Sequence, residues 1–217
     1  MNPHIWNKVD DFVFDTLIQE DAALRETVLS SGVAGLPMIQ VAPNQGKLLH
    51  LLAMAVGARR VLEIGTLGGY STIWLARALP IDGELISLEL DPKHAEVARC
   101  NIERANVAAR VEVKVGAALE TLQTLSGPFD LTFIDADKQN IPAYFEKAVE
   151  LSRAGALIIV DNVVRDGQIA DAASTDESVR GVRRLHEAIK NDARVSATTL
   201  QTVGTKGYDG LLIARVH

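Results

Sequence analysis

From Arg60 to Val160 the chain repeats one unit: a short apolar run, a turn, then a stretch of helical spacing. The apolar runs fall at residues 61–64, 85–88, 111–115, 131–134 and 156–160. Helical stretches follow at 70–79, from Pro92 onward, at 117–125 and at 142–151. Strands separated by a helix need a crossover, and a crossover makes them parallel. The repeat therefore restricts this region to a doubly wound α/β sheet with helices on both faces. The run 156–160 is almost wholly apolar, as a strand buried on both sides of such a sheet requires.

The flanks add to this core. Ile5, Val9, Phe12, Val13 and Leu17 recur at helical spacing, with acidic residues on the opposite face. A second helical piece is expected at 22–29, a glycine-containing loop at 31–43, and a helix at 44–56 carrying Leu48, Leu49, Leu51 and Leu52. Beyond residue 160, the segment 165–175 is polar and strand-poor, and 179–189 reads as helix. The runs 195–200 and 211–216 are expected to be strands joined by a glycine-rich turn at 204–210. With no helix between them they pair antiparallel, which gives a mostly parallel sheet with one antiparallel strand near its end. No repeat or linker divides the chain, so residues 1–217 are expected to form one domain, with helices in 1–56 preceding the sheet.

Composition narrows the function. Hydrophobic residues make up 47% and charged residues 23%, the balance of a globular chain. The formal charge of −6 disfavours nucleic acid or an anionic membrane as the main partner. Cys100 is the single cysteine, which leaves no internal disulfide and no thiol set for structural zinc. Residues 1–8 lack a signal pattern, and the apolar stretch 48–58 contains His50 and is too short to span a bilayer. A reduced, cytoplasmic protein is expected.

Parallel sheets bind ligands at the carboxyl ends of their strands, so chemistry is sought there. After the first strand stands Gly65-Thr66-Leu67-Gly68-Gly69-Tyr70-Ser71, preceded by Glu63. Its glycines allow a tight turn, and the helix that follows offers free amides to an anion or polar group. It is not the dinucleotide fingerprint, because Leu67 occupies the second glycine position. After the second strand, Glu89 is placed to accept both hydroxyls of a ribose, and Asp91 is expected to cap the helix begun by Pro92. The fourth strand ends in Asp135-Ala136-Asp137-Lys138 and the fifth in Asp161-Asn162. Neighbouring strand ends bring Asp135, Asp161 and Asn162 together, an oxygen-only set suited to a hard divalent cation. A plainer alternative has one aspartate capping a helix and the other meeting water.

These residues resemble the cation-dependent O-methyltransferases, among them the catechol and caffeoyl-CoA O-methyltransferases. The matching stretches are 61–79, Glu89, 129–140 and 158–167, and the small bacterial members are most similar in length. The resemblance implies a seven-stranded Rossmann-like sheet with the last strand antiparallel. It implies that Glu63, Gly65, Thr66, Leu67, Gly69, Tyr70 and Ser71 surround the methionine part of S-adenosylmethionine (SAM). Glu89 then holds the ribose, Ala117 and Ala118 the adenine, and Val41 and Asp135 complete the cofactor pocket. Asp135, Asp161 and Asn162 match the ligands of a divalent cation, Mg²⁺ first and Mn²⁺ or Ca²⁺ as alternatives. Lys138 matches the general base, acting on a phenolic small molecule with two adjacent hydroxyls. A homodimer is implied as well.

Some positions depart from the family pattern. Ala136 and Asp137 stand where the catechol enzyme has bulky residues, as in the caffeoyl-CoA branch, which argues against a catechol-type pocket wall. His186 replaces a common asparagine and is read as a packing residue, and Ile39 replaces a common methionine. The segment 165–175 is expected to overhang the substrate as a mobile lid, with Arg165 facing any anionic group. The competing readings are an NAD-dependent oxidoreductase, a non-catalytic nucleoside-binding protein, and a methyltransferase of proteins or nucleic acids. The missing dinucleotide fingerprint weighs against the first. The intact ligand set with its lysine weighs against the second, and the absence of an Asn-Pro-Pro-Tyr type motif after the fourth strand weighs against the third.

Overall fold

The computed structural model describes residues 3–217. Its seven strands form one sheet in the order β3-β2-β1-β4-β5-β7-β6. They are β1 (Arg60–Ile64), β2 (Glu84–Glu89), β3 (Val111–Val115), β4 (Phe129–Ile134), β5 (Ser152–Asp161), β6 (Val195–Gly204) and β7 (Gly207–Val216). The first five pair parallel, and β7 alone runs against the rest, paired with β5 on one side and β6 on the other.

Side chains alternate across this sheet, as strand geometry demands. Val61, Leu85, Leu131, Phe133 and Ile159 point to one face. There they meet α3 (Pro43–Ala55), α4 (Tyr70–Ala78) and α5 (Pro92–Arg104) through Leu49, Ile73, Leu75, Ala98 and Ile102. Leu62, Ile64, Ile86, Ile134, Ile158 and Val160 point to the other. That face is covered by α6 (Ala118–Leu122), α7 (Ile141–Glu150) and α8 (Glu177–Ile189) through Leu122, Ile141, Phe145, Val182 and Leu185. Each valine, leucine, isoleucine or phenylalanine among them, fully buried, contributes about 1.5–3 kcal/mol of hydrophobic stabilisation.

Asp91 caps α5 as its sequence position implies, accepting a hydrogen bond from the Lys93 amide at 2.8 Å. Elsewhere the boundaries differ from the expectation. The C-terminal strands are ten residues each, so only Thr205 and Lys206 form the turn expected at 204–210. Gly210 belongs to β7 because its bare backbone admits the Val164 side chain and the Leu200 carbonyl, which a Cβ would overlap. Helix α2 (Ala22–Val33) runs into the expected loop, and α6 is shorter than the expected 117–125.

The first helix, α1 (Pro3–Leu17), inverts the simple amphipathic reading. Ile5, Val9, Phe12 and Leu17 are exposed, whereas Asp10 is buried. The Asp10 carboxylate accepts from the Thr205 backbone amide at 2.7 Å and from Asn44 Nδ2 at 3.0 Å. A buried acid thus ties α1 to the hairpin turn and to the start of α3. Among the described residues no helix is long and apolar enough to cross a membrane.

Candidate active site

A cavity of about 1010 Å³ opens at the carboxyl ends of β1, β2, β4 and β5. Its floor is the loop after β1. Gly65 has φ +100° and donates to the Leu88 carbonyl at 2.9 Å. Leu67 sits in the left-handed region at φ 49°, a strained state for a leucine. Glu89 holds the loop in this shape: its Oε2 accepts from the amides of Thr66 and Leu67 at 3.1 and 2.8 Å. Its Oε1 accepts from the Asp91 amide at 3.0 Å and lies 3.6 Å from His94 Nδ1. Glu89 therefore shapes the loop as well as lining the cavity beside it.

Gly65, Thr66, Leu67, Tyr70 and Ser71 line the cavity, as do Val41, Ala117 and Ala118. Gly68 of the same loop lines it too. Glu63 and Gly69 are not among the residues that line it. Glu63 is fully buried beneath the loop, where the hydroxyls of Ser71, Thr72 and Ser87 donate to it at 2.5–2.6 Å. It braces the loop from below. Burial pushes its pKa up to about 7, against those three hydroxyls, with Asp135 adding a smaller upward push. Gly69 caps α4 at φ +84° and faces Ala98 of α5, where a Cβ would lie 3.4 Å from the Ala98 Cα and Cβ.

At the other end, Ile134 and Val160 are register partners, so Asp135 and Asp161 leave adjacent strands side by side. Asp161 is buried, with Oδ2 accepting from Gln45 Nε2 at 2.6 Å and Oδ1 from the Asn162 amide at 2.7 Å. Burial first, then the Asp135 charge, raises the Asp161 pKa above the usual carboxylate range. Asn162 takes a left-handed backbone at φ 56°. Lys138 is buried, and its Nζ donates to Asp135 Oδ1 at 2.9 Å. Asp135, Lys138, Asp161 and Asn162 all line the cavity.

This end therefore holds two carboxylates against one ammonium. The described residues contain no cluster of three or more His, Cys, Asp or Glu suited to a metal, so any cation here would rely on the side-chain oxygen of Asn162 as well. An all-oxygen set with two carboxylates against one ammonium, one of them buried beside the other's charge, fits a hard divalent ion that would relieve their repulsion.

Several residues with a part here were invisible as such in the sequence. Gln45 of α3 holds Asp161 through its side-chain amide. Tyr144 donates to Asp137 Oδ1 at 2.5 Å and lines the same wall. Lys206 reaches the cavity from the hairpin turn. Gly181 of α8 packs against Lys138 so closely that a Cβ would overlap its carbonyl oxygen. His186 packs between α8 and β6, within hydrogen-bond distance of the Val182 carbonyl and Thr199 Oγ1. Of the segment 165–175 only Arg165 lines the cavity. Ile169 is gripped by Arg183 of α8, and Gly167 lies against Tyr208 of β7, so this segment packs beside the site rather than over it.

The strand order, the reversed β7, the glycine loop after β1 and the acid after β2 together define a class I methyltransferase. Residues 15–216 match the family described as O-methyltransferase, and the chain belongs to that family. A catechol O-methyltransferase from Mycobacterium tuberculosis is 54% identical over 96% of this chain and 95% of its own. Another from Niastella koreensis is 50% identical over all of both chains. The crystal structure of the O-methyltransferase from Bacillus cereus in complex with SAH superposes with a TM-score of 0.98, at 54% identity and full coverage of both chains. The protein is an O-methyltransferase.

Proposed function

We propose that this protein transfers the methyl group of SAM to one hydroxyl of a vicinal dihydroxy aromatic, with a divalent cation at Asp135, Asp161 and Asn162. The observation that carries this reading is the adjacency of Asp135 and Asp161 beyond register partners, in one cavity with Lys138 and the Glu89-braced loop. SAM enters because the Bacillus cereus relative holds SAH, the species left when SAM gives up its methyl group. Relatives named catechol O-methyltransferase favour a catechol-type ring over the caffeoyl-CoA type that Ala136 and Asp137 suggested.

The chemistry needs a nucleophile. A phenol of pKa near 10 is ionised to only about one part in a thousand at pH 7, a deficit of roughly 4 kcal/mol. The cation, when bound, supplies positive charge that favours the ionised hydroxyl. Lys138 Nζ, placed by Asp135 Oδ1 at 2.9 Å, takes the departing proton once the lysine has itself given up one proton and stands as the neutral amine. Gln45 and the Asn162 amide hold the Asp161 carboxylate in one orientation. The loop 65–71 and Glu89 grip the nucleoside and methionine parts of SAM, so the methyl group faces the diol. The exposed apolar residues of α1, with Ile5, Val9 and Phe12 each more than half exposed, support a homodimer that covers them.

The decisive experiment is methyl transfer from SAM to 3,4-dihydroxyphenyl compounds with Mg²⁺, with a chelator, and with Asp161→Ala. Product only with metal and the intact aspartate is expected. Product that survives both chelation and the substitution would overturn the cation's role. SAM binding without product from any diol would overturn the substrate class.

A further inference from the structure

Two cations line the cavity without a task in this chemistry: Arg165 and Lys206. Neither side chain hydrogen-bonds to a carboxylate among the described residues. The Arg165 guanidinium makes no hydrogen bond among the described residues, and its Nε is buried without a partner. Its Nη1 stands 4.0 Å from Asp209 Oδ2, a long ion pair beyond hydrogen-bond reach. The other oxygen of Asp209 already accepts from the amides of Val164, Arg165 and Gly210 at 2.9–3.0 Å. Lys206 Nζ has one polar contact among the described residues, the Met38 carbonyl at 3.3 Å. Its partial burial pulls its pKa below the ordinary lysine value.

Both are nevertheless held in place. Lys206 is the second residue of a two-residue turn whose first amide, Thr205, is bound by the buried Asp10 of α1. Arg165 has a left-handed backbone at φ 55°, and Asp209 grips its amide. The chain carries a net charge of −6, and Glu89, Asp135 and Asp137 line the same cavity. An acidic ligand would be repelled from such a site unless cations on its wall offset the field.

We propose that Arg165 and Lys206 form an anion-reading wall, so that the preferred diols carry a carboxylate on or near the ring. Arginine offers a planar fork that matches a carboxylate, and lysine adds a point charge beside it. This inference rests on the vicinal-diol reading above and adds the substituent that reading leaves open.

The test compares 3,4-dihydroxybenzoate with its neutral isostere 3,4-dihydroxybenzamide, at saturating SAM and Mg²⁺. The wild-type kcat/KM is expected to favour the acid by about tenfold or more, as a charge-assisted contact provides. Arg165→Gln should lower the acid-to-amide ratio by about tenfold, and Lys206→Gln, being more exposed, by about threefold. The loss should lie mainly in KM. Raising ionic strength should lower the wild-type ratio as well, a check that needs no variant. A wild-type ratio near one, or a ratio that neither variant nor salt moves, would overturn the anion-reading wall while the methylated amide upholds the diol reading. Methylation of neither compound would overturn both.

Discussion

Gly65 and Asp135 press together where β1 and β4 end: a Cβ on Gly65 would overlap the Asp135 carbonyl oxygen, and its φ of +100° suits only glycine. This contact joins the two halves of the site, because the loop that begins at Gly65 lines one end of the cavity and Asp135 the other. Gly65→Ala should therefore destabilise the fold by about 1–3 kcal/mol through strain and displace loop and aspartate together. SAH binding by calorimetry and methyl transfer should both fall, by about a hundredfold for the rate, since positioning errors near 1 Å carry that penalty. Wild-type affinity for SAH in the variant would contradict the coupling.

Gln45 and Asp161 form the second joint, at 2.6 Å. Gln45→Ala removes the side-chain donor that orients this carboxylate and leaves the Asn162 amide as its remaining partner. Groups that hold a metal ligand in place typically affect affinity by about 10–100-fold. Mn²⁺ binding followed by electron paramagnetic resonance should weaken by that order, while SAH affinity measured without metal changes little.

The pH dependence of stability should carry the mark of Glu63. Its folded pKa of about 7 lies above the ordinary 4.5, so between those values the folded state binds more protons than the unfolded chain. Stability therefore falls as pH rises through that window, by at most about 3 kcal/mol, and the loss is complete above pH 7. Glu63→Gln removes the ionisation. Urea denaturation at pH 5 and pH 8 should show a loss in the wild type and a flatter response in the variant.

Much of the site was legible because strand ends can be located from local pattern alone. Once the repeat fixed parallel strands, the residues just after Ile64, Leu88, Ile134 and Val160 had to converge, and they do. What stayed hidden depends on contacts far apart in sequence. Glu63 adjoins the loop in sequence, and strand alternation turns it under the loop to three hydroxyls that its position alone did not reveal. Asp10 looked like part of a solvated face, and only the hairpin turn, nearly two hundred residues away, explains its burial. Lys206 was hidden by the length of β6 and β7, since a hairpin reaching the cavity needs ten-residue strands. Gly181 alone left a signal, a glycine inside an otherwise regular helix.

That glycine gives the sharpest separation of local from tertiary effects. By intrinsic propensity, replacing a mid-helix glycine with alanine stabilises a helix by about 0.5–1 kcal/mol. In α8 the same change would drive a Cβ into the Lys138 carbonyl oxygen and the neighbouring Gln139 backbone. The backbone here cannot yield without moving Lys138, whose Nζ is buried and fixed on Asp135. Gly181→Ala is thus expected to destabilise the protein by about 1–3 kcal/mol, the range for overpacking, despite the favourable propensity. Its kcat should fall by about tenfold or more, because a displaced base is misaligned for proton transfer, while SAH affinity stays near the wild-type value. A variant with raised melting temperature and unchanged kcat would show that α8 does not position Lys138.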